Sequence, residues 1–173
     1  MNNTIATFAV DPKKRIIRDL KITQKQFKFK CTRKATLCCK LGGPVLTKKD
    51  INSIQSAGHS LEQFFNSENN KNQISSNAFG RIKTRSDRSF IFLDCDKQQN
   101  KHNCSIYESR PALCRLYPFH FEFLSAERIA LKFIPCCMGL NDPDGKILDE
   151  QFINLVLLEP LLDAFELYKN GKT

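Results

Sequence analysis

The sequence predicts an α+β fold: a small antiparallel sheet of hairpins, short helices and a C-terminal helical segment, the whole metal-centred. Three observations carry that expectation. Short stretches alternate apolar and polar residues with a period of two, as in Phe27-Lys28-Phe29-Lys30-Cys31. Helix-start signals precede brief apolar repeats, as between Thr47 and Ile54. Cysteines gather where the chain bends, at Cys31, Cys38 and Cys39, at Cys104 and Cys114, and at Cys136 and Cys137.

Residues 4–10 and 26–31 read as strands, the second with Cys31 on its buried face. "CTRKATLCCKLGGPV" reads as a loop punctuated by Gly42, Gly43 and Pro44. Thr47-Lys48-Lys49-Asp50 has the form of a capping box; Ile51 and Ile54 supply the apolar face of the helix it opens, and Gly58 stops it. Ser60 with Gln63 starts a second short helix through Phe64 and Phe65. "NSENNKNQ", residues 66–73, is polar and expected to be exposed. Residues 78–84 and 89–94 read as a hairpin around Ser86-Asp87, and residues 119–124 and 128–134 as another around Ser125-Ala126-Glu127. Residues 148–169 read as one or two helices, kinked or restarted at Pro160 and stopped at Asn170-Gly171. No internal repeat is present. The expected organisation is a basic N-terminal segment (residues 1–26), a cysteine-rich metal-binding domain (27–145) and a helical segment packed on it (146–173).

A chain of 173 residues with 41% hydrophobic and 26% charged residues is ordinary for one soluble globular domain. The net charge of +9 is concentrated. Residues 11–40 hold eleven Lys and Arg against Asp11 and Asp19, which accounts for the whole excess. Such a segment suits an acidic protein, nucleic acid or an anionic surface, or else a solvated face flanking a negatively charged site. No nucleic-acid module accompanies it, and the absence of Trp with only three Tyr disfavours base stacking. No segment reads as a signal peptide. No transmembrane segment is expected either: the densest apolar run, "FINLVLLEPLL", is broken by Asn154, Glu159 and Pro160. The expected compartment is cytoplasmic.

That compartment keeps thiols reduced, so the eight cysteines point to a metal site rather than to disulfides. The adjacent pairs Cys38-Cys39 and Cys136-Cys137 agree, because neighbours rarely adopt disulfide geometry. Eight are too many for inert buried thiols alone. Cys₄ ligation suits a zinc ion or an iron–sulfur cluster. In "IYESRPALCRLYPF", Ser109 can cap a short helix and Pro111 has its φ preset for an early helical position, which places Cys114 one turn inside. Arg110 and Arg115 are candidates to offset thiolate charge and donate to sulfur; ordinary surface ion pairing is the alternative. Tyr107, Tyr117 and Phe119 would exclude water. His102, two residues from Cys104, can ligate, whereas His59 and His120 read as loop or half-buried residues.

These residues resemble the YkgJ-like cysteine-cluster family, also described as the CxxCxxCC zinc/iron-chelating domain. The resemblance covers about residues 27–140. It rests on Cys104-Ser105-Ile106-Tyr107, Arg110-Pro111, Cys114-Arg115 and Tyr117-Pro118-Phe119, with the Leu46-Thr47 to Asp50 and Phe92-Leu93 steps. It implies Cys31, Cys38, Cys39, Cys104, Cys114 and Cys137 as metal ligands; Tyr107, Arg110 and Arg115 are the residues expected around the cofactor from their own chemistry. Two positions depart from the pattern: Lys34 and Phe90 stand where cysteines are expected, which puts a second metal or a larger ligand set in doubt. Cys95 and Cys136 have no clear match in the pattern and read as substitutes or bystanders. Lys34 would bring a positive charge to the site.

Three functions follow. A closed Cys₄ metal leaves no open position for substrate and makes the domain a binding module. An iron–sulfur centre would transfer electrons, sense or catalyse; the resemblance includes a flagellin lysine methylase with such a cluster. The chain has seven glycines and no Gly-rich strand-to-helix loop of the methyl-donor kind. Finally, residues 11–40 could hold nucleic acid or an acidic partner while a metal maintains the fold. No reaction is assigned.

Overall fold

A computed structural model of the chain describes residues 3–32, 37–40, 43–67, 80–96 and 101–168. The strands are β1 (Thr4–Asp11), β2 (Ile16–Ile22), β3 (Lys28–Phe29), β4 (Val45–Leu46), β5 (Phe65–Asn66), β6 (Gly80–Ile82), β7 (Leu93–Asp96), β8 (Lys101–Cys104), β9 (Phe119–Phe123), β10 (Arg128–Phe133) and β11 (Lys146–Ile147). The helices are α1 (Lys48–Ser56), α2 (Leu61–Phe64), α3 (Ala112–Leu116), α4 (Glu150–Phe152) and α5 (Leu158–Tyr168), with a 3₁₀ turn at Leu37–Cys39 and a π-helical turn at Ile153–Leu157. The small antiparallel sheets, short helices and C-terminal helix make the fold α+β. Two compact units divide the chain: Met1–Thr32 with Leu116–Leu162, and Arg33–Arg115 with Asp163–Thr173.

The first unit is built on an antiparallel sheet of order β2-β1-β10-β9. Its hydrophobic face follows from alternation: Phe8, Val10, Ile129 and Leu131 are almost wholly buried. The hairpin over residues 119–134 forms as expected, with Leu131 opposite Phe121. β2 is absent from the sequence-based expectation. Its run Ile16-Ile17-Arg18-Asp19 breaks the two-residue period, and Arg15 and Asp19 both adopt positive φ (54° and 53°).

The expected strand over residues 26–31 shortens to β3, paired with β11. Cys31 therefore lies beyond the strand and is exposed rather than on a buried face. Next to it, the Lys30 amide donates to the Gly139 carbonyl at 3.0 Å. The two backbones are so close there that a Cβ on Gly139 would lie 2.1 Å from the Lys30 oxygen. Toward the C-terminus, Pro160 lies inside a continuous helical run from Glu150 to Tyr168, directly after the π-helical turn Ile153–Leu157, where the altered bonding pattern accommodates the backbone hydrogen bond that Pro cannot donate. The expected restart takes the form of the π-helical turn just before it.

The second unit holds a three-stranded sheet of order β4-β6-β5 and the hairpin β7–β8. Leu46, Ile54, Phe64, Ile82, Phe90, Phe92 and Ile106 form its buried core. The capping box of α1 is present: Asp50 N–H donates to Thr47 Oγ1 at 3.0 Å, and Thr47 N–H donates to Asp50 Oδ2 at 2.9 Å. Gly58, with φ of 94°, follows its end. In α2 the Gln63 side chain accepts from Ser60 N–H at 3.0 Å.

The hairpin expected from residues 78–84 and 89–94 is reduced to its turn end, where Arg85 N–H donates to Ser89 O at 2.8 Å and Ile91 N–H to Lys83 O at 3.3 Å; residues 78 and 79 lie outside the described residues. β6 pairs with β4 and β5, β7 pairs with β8, and a lone bridge joins Thr84 to Phe90. The Arg85 guanidinium limits how far that pairing extends. It donates to the carbonyls of Phe90 (3.0 Å), Ile91 (2.7 Å) and Leu93 (2.7 Å), taking acceptors that a partner strand would need. The polar stretch beyond Ser67, Lys34 and the stop at Asn170-Gly171 lie outside the described residues. Among the described residues no helix is long and apolar enough to cross a membrane.

The approach at Gly139 gives a direct test. Gly139→Ala is expected to cost about 1–3 kcal/mol through overpacking against backbone. Urea denaturation checks this, and an unchanged midpoint would contradict the close approach.

Candidate metal centre

Four cysteines of the second unit lie near one another on three separate supports. Cys38 and Cys39 sit on the 3₁₀ turn, whose Cys39 carbonyl accepts from Phe90 N–H at 2.9 Å. Cys104 ends β8; its carbonyl accepts from Tyr107 N–H at 3.1 Å, while Ser105 N–H donates to Phe92 O at 2.9 Å. Cys114 is the third residue of α3. Cys39, Cys104 and Cys114 all pack against the core of this unit.

The start of α3 is fixed from a distance. Ser109 does not cap it; its hydroxyl turns back to the Ile106 carbonyl. Instead Asp50, 3% exposed, accepts from Ala112 N–H through Oδ1 at 2.9 Å while its Oδ2 holds the start of α1. One carboxylate thus satisfies a free N–H at two helix starts and orients Cys114. The other end of α3 is tied down by Arg115, which donates to Asp163 Oδ2 at 3.1 Å. Lys49 reaches the same carboxylate at 2.9 and 3.0 Å. Asp163 is 8% exposed, and two cations compensate its burial.

The electrostatics show how closely the thiols are grouped. Cys38 and Cys39 have sulfurs 3.8 Å apart. The hydrogen bond from Cys39 brings the Cys38 thiol down to about 7, with help from the Arg110 charge and against burial. The same bond pushes Cys39 far up, followed by burial and the charges of Cys38, Cys114 and Cys104. Burial raises Cys104, against the opposing pull of Arg110. Burial also raises Cys114, reinforced by Cys104 and Cys38 and again opposed by Arg110. Among the described residues, Arg110 is therefore a cation that acts on this group. It is held by stacking over Tyr107, 3.5 Å from the ring centroid, and by donating from Nε to the Tyr107 carbonyl at 2.8 Å.

The remaining candidates fall in the first unit. Cys31 and Cys136 are exposed and Cys137 is half-buried. The Lys30–Gly139 contact brings together the chain segments that carry Cys31 and Cys137. Tyr117 and Phe119 also belong to that unit. None of Cys31, Cys38, Cys39, Cys104, Cys114, Cys136 and Cys137 is in a disulfide. Among the described residues no three Cys, His, Asp or Glu side chains are yet arranged to hold an ion, so ligation at the thiol group requires cysteine side chains to turn. The donor set itself, four thiols with one facing guanidinium, has the chemistry of a thiophilic metal site.

Asp50 and Asp163 were not singled out as site residues by sequence reasoning. The capping box gave Asp50 a local role, but its second partner is 62 residues away. Asp163 carried no signal beyond its place in an apolar helix.

The model of the CxxCxxCC family, described as "Putative zinc- or iron-chelating domain", matches residues 30–145. An uncharacterized protein of Methanocaldococcus jannaschii is 32% identical over 122 residues, which cover 69% of this chain and 62% of that protein. The chain thus matches less than two thirds of that relative's length. No solved structure matches it.

Asp50→Ala would leave two amides without their carboxylate and is expected to cost about 2–4 kcal/mol. Asp50→Asn, which keeps one acceptor oxygen, should recover part of that. Chemical denaturation of both variants measures the loss, and an alanine variant as stable as the parent would rule out the shared cap.

Proposed function

The chain belongs to the CxxCxxCC family, and on that premise we propose that its second unit binds one thiophilic metal ion, zinc or iron, through Cys38, Cys39, Cys104 and Cys114. One distance supports the pairing of Cys38 and Cys39 on a common ion. Two bonds of about 2.3 Å at a tetrahedral angle put ligand sulfurs about 3.8 Å apart. Cys38 and Cys39 already have that separation, 3.8 Å.

The side chains divide the work. The four thiols release their protons to solvent as they ligate, which makes affinity rise with pH. Cys38 is the first to ionise, because Cys39 and Arg110 favour its thiolate. Arg110 offsets part of the net negative charge that four thiolates leave around a divalent ion. Tyr107 holds that guanidinium in place through ring and carbonyl. Asp50 fixes the helix that carries Cys114. A bound ion supplies folding free energy, on the order of 10 kcal/mol for a structural zinc at neutral pH. Four protein ligands leave no open position for a substrate, so the reading is a metal-holding module and not a hydrolase.

Elemental analysis of full-length protein purified without oxygen is the test. Zinc or iron should be retained by the parent and lost at this site from Cys39→Ser and Cys114→Ser. Arg110→Ala should retain the ion with weaker affinity. Metal content unaffected by both cysteine changes would refute these ligands. Iron with matching inorganic sulfide would replace the single ion by an iron–sulfur cluster.

A further inference from the structure

We propose that β11 and the π-helical turn of the first unit form a self-association surface, which meets the same surface of a second copy of this chain about a two-fold axis. The helical run that starts at Glu150 turns Gln151 and Glu159 to solvent, as a helix lying on a core should. Between them Leu155 is 76% exposed and Val156 is 44% exposed. Ile147, on β11, is 46% exposed. These three side chains and Phe152 line one groove of about 440 Å³. A contiguous apolar surface left in water marks a place where another molecule docks.

The strand supplies the symmetry. Among the described residues β11 pairs with β3 and with no other strand, so its far edge is open. The bonded positions of an antiparallel pair alternate. Leu148 N–H donates to the Phe27 carbonyl at 2.8 Å, so Leu148 turns its backbone toward β3 and Ile147 turns its N–H and C=O away. An edge of this kind accepts a further strand. Two identical edges related by a two-fold axis run antiparallel, and Ile147 of each copy then exchanges both hydrogen bonds with Ile147 of the other. The pairing extends a two-stranded ribbon, which is marginal alone, into a sheet of order β3-β11-β11-β3.

Charge favours the same occupant. Lys146 and Asp149 also line the groove, and both are exposed. A strongly acidic or strongly basic partner would set one of them against its own sign. A second copy does not. With Ile147 opposite Ile147, Lys146 of each chain stands opposite Leu148 of the other, next to Asp149, so the opposite charges meet on both sides of the axis.

Sedimentation equilibrium of the full-length chain, kept reduced and free of oxygen so that no intermolecular disulfide forms, is the test. Far-UV circular dichroism confirms that each variant is folded. The parent is expected at twice the mass of one chain, and Leu155→Asp at the mass of one chain under the same conditions. Lys146→Glu, in which like charges meet twice across the axis, is expected to dimerise about tenfold more weakly. A parent that keeps the mass of one chain at the highest concentration reached would overturn the surface, as would a dimer equally strong in both folded variants. A parent that stays monomeric and binds vesicles of anionic phospholipid, with binding lost in Leu155→Asp, would assign the groove to a lipid surface and overturn self-pairing.

Discussion

Four thiols placed close together cannot all ionise without a compensating positive charge, and the second unit is organised around that constraint. The hydrogen bond with Cys38 pushes Cys39 up and burial pushes Cys114 up, each reinforced by the neighbouring thiolates, while the bond from Cys39 draws Cys38 toward neutrality. Arg110 is a fixed cation whose charge acts on Cys38, Cys104 and Cys114, and a divalent ion would complete the compensation. A mobile guanidinium would do this poorly. Stacking on Tyr107 and a hydrogen bond to its carbonyl give Arg110 one orientation.

The same unit fixes its cysteines by backbone rather than by side-chain packing alone. The Cys39 carbonyl is bonded to Phe90, Cys104 closes a turn onto Tyr107, and Cys114 rides on a helix whose two ends are tied to Asp50 and Asp163. The three anchors come from stretches far apart in sequence. The thiol group is therefore a product of the folded core, and loss of Asp50 or of the Asp163 ion pairs should loosen it without removing a sulfur. The positive charge of the N-terminal third is partly absorbed within the first unit, where Arg15 pairs with Glu159, Arg18 with Asp11 and Lys30 with Asp144.

What could be read from the sequence was local. Thr47 and Asp50 announced α1, Ser60 and Gln63 announced α2, and the alternation from Phe119 to Phe133 announced the β9–β10 hairpin. Pairing between distant segments was not legible. Nothing around Ile16–Ile22 has the period of a strand, and nothing in residues 80–94 reveals that Arg85 will occupy the carbonyls of its own neighbours. The second role of Asp50 was hidden for the same reason: a cap motif records the near amide and says nothing of Ala112. At the candidate site the residue types were legible from spacing, and the family resemblance supplied their grouping. The position of Cys31 outside the strand, and of Cys31 and Cys137 in the first unit, came only with the fold.

X-ray absorption at the metal edge of the full-length protein, isolated without oxygen, tests the central claim most directly. The account predicts a first shell dominated by sulfur at about 2.3 Å. A shell of oxygen and nitrogen neighbours, with no sulfur contribution, would contradict it.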